Sequence, residues 1–513
     1  MTMPNVISTP LWIAVAVQMM MGAFDTFYHH EGTERLAWRP GQTVELRLHG
    51  VRNLVYAVVF AALGWSAPQG GWAMALLALL AGELVITLWD FVEEDRTRHL
   101  PATERVTHTL LTLNYGVILA LLVPLLIDWA ARPAALVPVR YGVMSWACAL
   151  AAFGVTLSGL RDLAAARRCP RLVPAPAAAL AQALEGCRTV LVTGGTGFVG
   201  RRLVEALAQA GHRVIVLSRD PGRAAGLLQA AGPMRMPVQV VASLDDIAAQ
   251  ARIDAVVNLA GEPISDSPWT RAKRIRIVRS RLAVTRGVVR LIARLERRPE
   301  VLVSGSAVGI YGLRGDEVLG ERDGGTPCFS RRVCASWERA ALRAEALGVR
   351  TVRLRTGLVL DGSGGMLARM LAPFEHGLGG RFGDGRQWMS WIHRDDLVRL
   401  IVHAIARPAL RGALNAAAPE PVTNRAFTAT LARVLRRPAL LPVPAWPLRL
   451  LLGAFAEELL LSGQRVMPEA ALADGFRFRH PRLEDALAAI AGASRNPVVI
   501  MPSNRRQTCV FAS

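Results

Sequence analysis

The segment TVLVTGGTGFVG, Thr189–Gly200, decides the fold. Thr189–Thr193 is a short apolar, β-branched run and reads as a buried strand. It breaks into Gly194-Gly195-Thr196-Gly197-Phe198-Val199-Gly200, and the helical run Arg201–Ala210 follows. Glycines at 194, 197 and 200 allow a tight turn and close approach of the backbone to a ligand. The amides that open the helix favour phosphate. A second strand, Arg213–Leu217, comes next. A lone glycine pattern is weak, but strand, turn, helix and strand in this order is specific. The segment predicts a pyrophosphate cradle formed by Gly194, Thr196, Gly197, Phe198, Val199 and Gly200, and hence a bound dinucleotide.

The end of the second strand selects which one. An acid there would bond the ribose hydroxyls of NAD(H). This chain has Ser218-Arg219, a hydroxyl and a guanidinium that suit a 2′-phosphate, so NADP(H) is favoured over NAD(H). Asp220 follows and argues the other way. Further strand-helix units, with strands at Ala255–Leu259, Val301–Ser304 and Thr351–Leu354, imply a doubly wound parallel sheet, an α/β Rossmann domain.

Upstream the character changes. Five apolar runs precede residue 165: Ile7–Phe24, Val51–Ala67, Trp72–Leu88, Leu110–Trp129 and Tyr141–Leu160. A span needs about 20 residues, which predicts an α-helical transmembrane domain of four to five helices over 1–165. The hydrophobic fraction of 52% agrees with a bilayer contribution. Arg35, Arg39 and Arg47 lie between the first two runs, Arg96, Arg98 and Arg105 between the third and fourth, and Arg161, Arg167 and Arg168 after the fifth. With five spans these fall on one side, which places the N-terminus outside and the nucleotide domain in the cytoplasm, at the inner membrane. The net charge of +20 then suits an anionic membrane face. No nucleic-acid motif accompanies it, and nucleic acid is not an expected partner. The six scattered cysteines form no Cys-x-x-Cys pair, which argues against a disulfide framework.

The segments between the runs also concentrate acids and histidines. Five of the ten histidines are His29, His30, His49, His99 and His108. Glu45/His49 and Glu104/His108 are four apart and share a face if helical. Glu83 lies inside a run, where an ionisable group is costly and marks function by default. Glu31, Glu45, His49, Glu83, Glu104 and His108 are therefore candidate ligands of a metal such as iron, manganese or zinc. The competing reading is that these acids simply pair with the interleaved arginines.

The remaining motifs are Asn258-Leu259-Ala260-Gly261-Glu262, Ser304-Gly305-Ser306 with Tyr311-Gly312, Trp337-Glu338, Arg355-Thr356-Gly357 and Trp391-Ile392-His393. With the glycine turn they make residues 189–490 resemble an epimerase-like, NADP-binding oxidoreductase family of the extended short-chain dehydrogenase/reductase superfamily. That covers about three fifths of the chain. The resemblance implies a Rossmann domain over 189–437 and a small C-terminal substrate lobe over 438–490; the basic, then Ala/Pro-rich stretch 166–188 reads as a linker and 491–513 as a flexible tail. It implies Ser218 and Arg219 at the 2′-phosphate, and Asn258, Ala260, Gly261 and Arg355 beside the cofactor. It places Ser306 at a substrate oxygen and Gln387, Trp391 and His393 on the pocket wall.

One departure stands out. The superfamily's usual acid is a Tyr-x-x-x-Lys pair, in which the ammonium lowers the phenol's pKa. Here Ser330 and Cys334 hold those two positions, and Lys273, the single lysine, lies upstream. Proton transfer would fall to Ser306, Tyr311, Glu262 or the substrate itself. The expectation is a membrane-anchored oxidoreductase or epimerase-like enzyme for a small, hydrophobic molecule. The alternative is a membrane-tethered NADP(H) sensor or scaffold without catalysis.

Overall fold

The computed structural model describes residues 7–98, 100–229 and 234–493. The chain forms two compact units, divided at Val173 and Pro174.

The first unit is a helical bundle: α1 (Thr9–Phe24), α2 (Thr43–Trp65), α3 (Gly71–Thr97), α4 (Ala102–Ala130) and α5 (Val143–Arg168). All five are long and apolar enough to cross a membrane, the first when its continuation to Trp38 is counted. They outlast the apolar runs that predict them. α1 widens into π-helical turns over Asp25–Glu34, which end where Arg35 takes a left-handed φ of 53°. Polar side chains at these ends pair inside the bundle, so helical hydrogen bonding continues where hydropathy has already fallen. The unit is apolar outside and charged within: Val143, Trp146, Leu150 and Leu113 are exposed, whereas Glu45, Glu83 and Glu104 are fully buried. α2 and α5 touch backbone to backbone, because a Cβ on Gly159 would stand 2.8 Å from the Gly50 carbonyl oxygen. Only small residues permit that approach. At the opposite end from the acids, Ser66–Gln69 pairs antiparallel with Ala135–Pro138.

The second unit carries a seven-stranded, wholly parallel sheet. Its spatial order is Gly412–Ala416, Arg350–Thr356, Val301–Ala307, Ala255–Asn258, Thr189–Thr193, Arg213–Leu217, Val238–Val241. The period of two sets its two cores. Val190, Val192, Val214 and Val216 enter one apolar cluster, while Leu191, Ile215 and Val256 enter the other. The order of strand addition reverses between Thr189–Thr193 and Ala255–Asn258, and ligands of such sheets bind in the crevice outside that point.

The predicted linker divides between the units. α5 runs on to Arg168, and Ala177, Leu180, Ala181 and Leu184 are buried in the sheet domain's core. Beyond the sheet, the apolar stretch at 446–461 is two short helices, Ala445–Leu452 and Ala454–Leu459, broken at Gly453 with φ 55°. Most of the predicted tail, from 494 on, lies outside the described residues, as does His99.

Candidate functional site

At the switch point the chain turns from Thr193 into α6 (Phe198–Ala210). Gly194 has φ 72°, and a Cβ there would stand 2.9 Å from the Ala260 amide nitrogen. A Cβ on Gly200 would stand 2.1 Å from the Gly194 carbonyl oxygen. Both positions exclude every other residue: the first by conformation and crowding, the second by crowding alone. Thr196 and Gly197 are exposed on the turn. No side chain caps α6, so its first amides point into the crevice unspent. Ala260 and Gly261 form the facing wall. Asn258 lies deeper, fully buried: it accepts from Thr193 Oγ1 at 2.7 Å, and its amide donates to Thr285 and Ser304. It holds three strand ends in register.

Arg219 is exposed, and no ion pair among the described residues engages it. Asp220, the residue that argued for NAD(H), turns its carboxylate the other way: Oδ1 accepts the Arg223 amide at 3.0 Å and caps α7 (Pro221–Gln229). Its charge is spent on a helix N-terminus.

The expected catalytic and pocket groups separate. Ser306 donates to Glu338 Oε1 at 2.8 Å. Arg355 forks onto the same carboxylate at 2.9 and 3.1 Å, and Arg353 adds a bond at 3.0 Å. Arg355 also donates to the Tyr311 hydroxyl, which donates in turn to Asn415 at 2.7 Å. Tyr311 is fully buried, and burial pushes its pKa up. Arg355, expected at the cofactor, thus closes on Glu338, and Tyr311 is locked in the same network. Glu262 receives Lys273 Nζ at 2.9 Å, and that hydrogen bond holds its carboxyl below the usual range. The lone lysine, on α8 (Arg271–Arg294), therefore serves Glu262 and Asp266, not a tyrosine.

A cavity of about 210 Å³ opens beside these groups. Ser330 and Cys334, at the vacated Tyr and Lys positions of α9 (Phe329–Leu342), line it together with Gln387, Met389, Leu460 and Glu458. Burial pushes the Cys334 thiol up to about 11, so it is protonated at neutral pH. Glu458 accepts the Phe329 and Ser330 amides and the Ser330 hydroxyl, from 2.7 to 3.0 Å. Trp391 and His393 stand apart from the cavity. Trp391 is fully buried with Nε1 on the Glu420 carbonyl, and His393 caps the helix Arg394–Ala406 through Asp395. Glu458 was not anticipated; its place at a helix start far off in sequence leaves no local signal.

In the bundle, Glu45, His49, Glu104 and His108 converge. Glu31 does not join them but pairs with Arg161. Glu83 sits deeper and accepts from Tyr56 and Thr87, each at 2.7 Å. His30 and Glu94 complete the group instead.

The profile of the NAD dependent epimerase/dehydratase family matches residues 190–417, and a domain of unknown function, DUF1731, matches 443–490. The chain is 42% identical over 309 residues to the chloroplastic epimerase family protein SDR39U1 homolog of Arabidopsis thaliana, covering 60% of this chain and 87% of that one. The chain belongs to the epimerase family. Epimerase family protein YfhF of Bacillus subtilis is 38% identical, over 59% of this chain and 97% of its own. The crystal structure of human epimerase family protein SDR39U1 with NADPH superimposes with a TM-score of 0.52 at 33% identity, covering 59% of this chain and 99% of that one. The NADPH is that of the human structure, and the two chains share their fold over these residues.

Proposed function

We propose that the chain is a membrane-anchored, NADP(H)-binding oxidoreductase or epimerase-like enzyme whose substrate is a small, largely apolar molecule. One observation carries this reading: an uncapped glycine turn leaves the C-terminal end of Thr189–Thr193, and an apolar cavity is lined by Ala307 and Thr356 at the C-terminal ends of two other strands of the same parallel sheet. The NADPH of the human relative and the exposed Arg219 support the phosphorylated cofactor. The bundle's apolar exterior supports the anchor, and the arginines at one end support a cytoplasmic sheet domain.

Within the cavity the proton-bearing groups are the Cys334 thiol and the Ser330 hydroxyl, which donates to Glu458. Ser306, Tyr311 and Glu262 are committed to other partners. The sensor reading rests on the same absence of a Tyr/Lys pair. The cavity favours the enzyme, because small-molecule sites are apolar with a few convergent polar groups.

Fluorescence titration of the detergent-solubilised full chain tests the first step. Saturable binding of NADPH, tighter than NADH, is expected; no binding of either removes the proposal. Oxidation of bound NADPH across a panel of apolar carbonyl compounds then separates enzyme from sensor. A C-terminal green fluorescent protein fusion should glow in intact cells, and a dark but inserted fusion would overturn the orientation.

A further inference from the structure

We propose that the acid/histidine cluster at one end of the five-helix bundle is a carboxylate-bridged centre for two divalent first-row metal ions, with Glu94 between them. The inference is independent of the nucleotide site.

The elements that build it are the π-helical end of α1, the start of α2, the end of α3 and the start of α4. One set of donor atoms comes from His30, Glu94, Glu104 and His108, and another from Glu45, His49 and Glu94. Within each set all donor atoms lie within 4.8 Å of one another. His108 Nδ1 stands 3.3 Å from Glu94 Oε2, and His49 Nε2 stands 3.9 Å from Glu94 Oε1. Ligands bound to one ion by bonds of about 2.1 Å are separated by distances of this order. Glu94 belongs to both sets and presents a different oxygen to each histidine, which is the geometry of a bridge.

Charge gives the second, independent argument. Asp25, Glu45, Asp90, Glu94 and Glu104 are each at most 5% exposed. Two guanidiniums, Arg52 and Arg98, answer these five carboxylates in the described contacts. A buried carboxylate without a counter-charge costs several kcal/mol. Histidinium could supply the missing charge at some positions, but His30 and His49 stack face to face, with centroids 4.5 Å apart and planes 3° apart. Two cationic rings cannot share that stack cheaply. Neutral imidazoles are the form that ligates metal.

The unspent atoms point the same way. Glu45 Oε2 and His49 Nδ1 are buried without a hydrogen-bond partner, in side chains at most 2% exposed. Asp25 Oδ2 lies 3.2 Å from His108 Nε2, the ring nitrogen opposite the one that faces Glu94. Carboxylates beside metal-bound imidazoles fix ring orientation in this manner. Mixed imidazole and carboxylate donors select iron, manganese or zinc over calcium or magnesium.

The test uses full-length protein in detergent, stripped with chelator and reloaded separately with Fe²⁺ under argon and with Mn²⁺. Two ions per chain are expected, with an exchange-coupled electron paramagnetic resonance spectrum for the manganese form. Glu94→Gln should lose the coupling, whereas Glu31→Gln and Glu83→Gln should retain both ions. Retention of no ion, of one ion, or of two uncoupled ions by the wild-type protein would overturn the paired centre. The wild-type stoichiometry and spectrum decide the matter even where a variant fails to fold.

Discussion

Two buried networks of charge, one in each unit, differ in a single respect. Around Glu338 the account closes: its two oxygens receive Ser306, Arg353 and both arms of Arg355, and Arg355 in turn meets Tyr311. Around Glu94 it does not close, because acids outnumber guanidiniums and several ring nitrogens and carboxylate oxygens have no partner. Burial alone therefore does not mark a ligand site. A completed network reads as architecture and an incomplete one as a place prepared for something else.

Substitutions in the two networks should move stability in opposite senses. Glu338→Gln leaves the Arg355 guanidinium buried without its counter-ion and should destabilise the full-length protein by about 3–5 kcal/mol. A thermal or denaturant midpoint within error of wild type would break the contrast. Arg219→Ser removes the proposed 2′-phosphate partner; NADPH affinity should fall roughly tenfold or more, for about 1.5–3 kcal/mol, with NADH affinity unmoved. Equal losses for both nucleotides would reassign Arg219. Glu94→Gln, compared with wild type when both are metal-free, should melt no earlier, because it removes one surplus negative charge. A marked drop in midpoint would show the metal-free cluster to be as complete as the Glu338 network.

The smallest effect concerns pH. His480 packs against His393 with ring centroids 4.2 Å apart, and burial, then the neighbouring ring, lowers its pKa from 6.5 to about 4. The unfolded chain takes up this proton first as pH falls, so stability should decline between pH 6.5 and about 4 and level off below. His480→Asn should flatten that decline, and an unchanged acid slope would assign it to other groups.

The legibility of these features followed the range of the interactions behind them. The glycine turn was readable because its tightest constraints are local: Gly194 takes a left-handed φ of 72°, and Gly200 is confined by the Gly194 carbonyl six residues back. The parallel order of strands followed from the alternation of apolar runs. The acid and histidine candidates were visible as residue types, but hydropathy ended the spans too early and hid that Glu94 and His30 share the space of Glu45, His49, Glu104 and His108. Glu31 and Glu83 were drawn to Arg161 and Tyr56, partners far off in sequence. Asp220 was ambiguous until its carboxylate was seen on the next helix. Arg355, Trp391 and His393 carried recognisable motifs, yet motif identity does not say which neighbour a buried side chain satisfies.

Glu458 has a consequence for biosynthesis. It grips the first turn of α9 from a position 128 residues later than Ser330. The bundle helices and the nucleotide cradle both leave the ribosome before the clamp that finishes the cavity. A chain cut short before that clamp could still present its cofactor cradle, but the first turn of α9 would lack its anchor. The cavity thus waits for the segment that carries Glu458, long after the helix it holds has emerged.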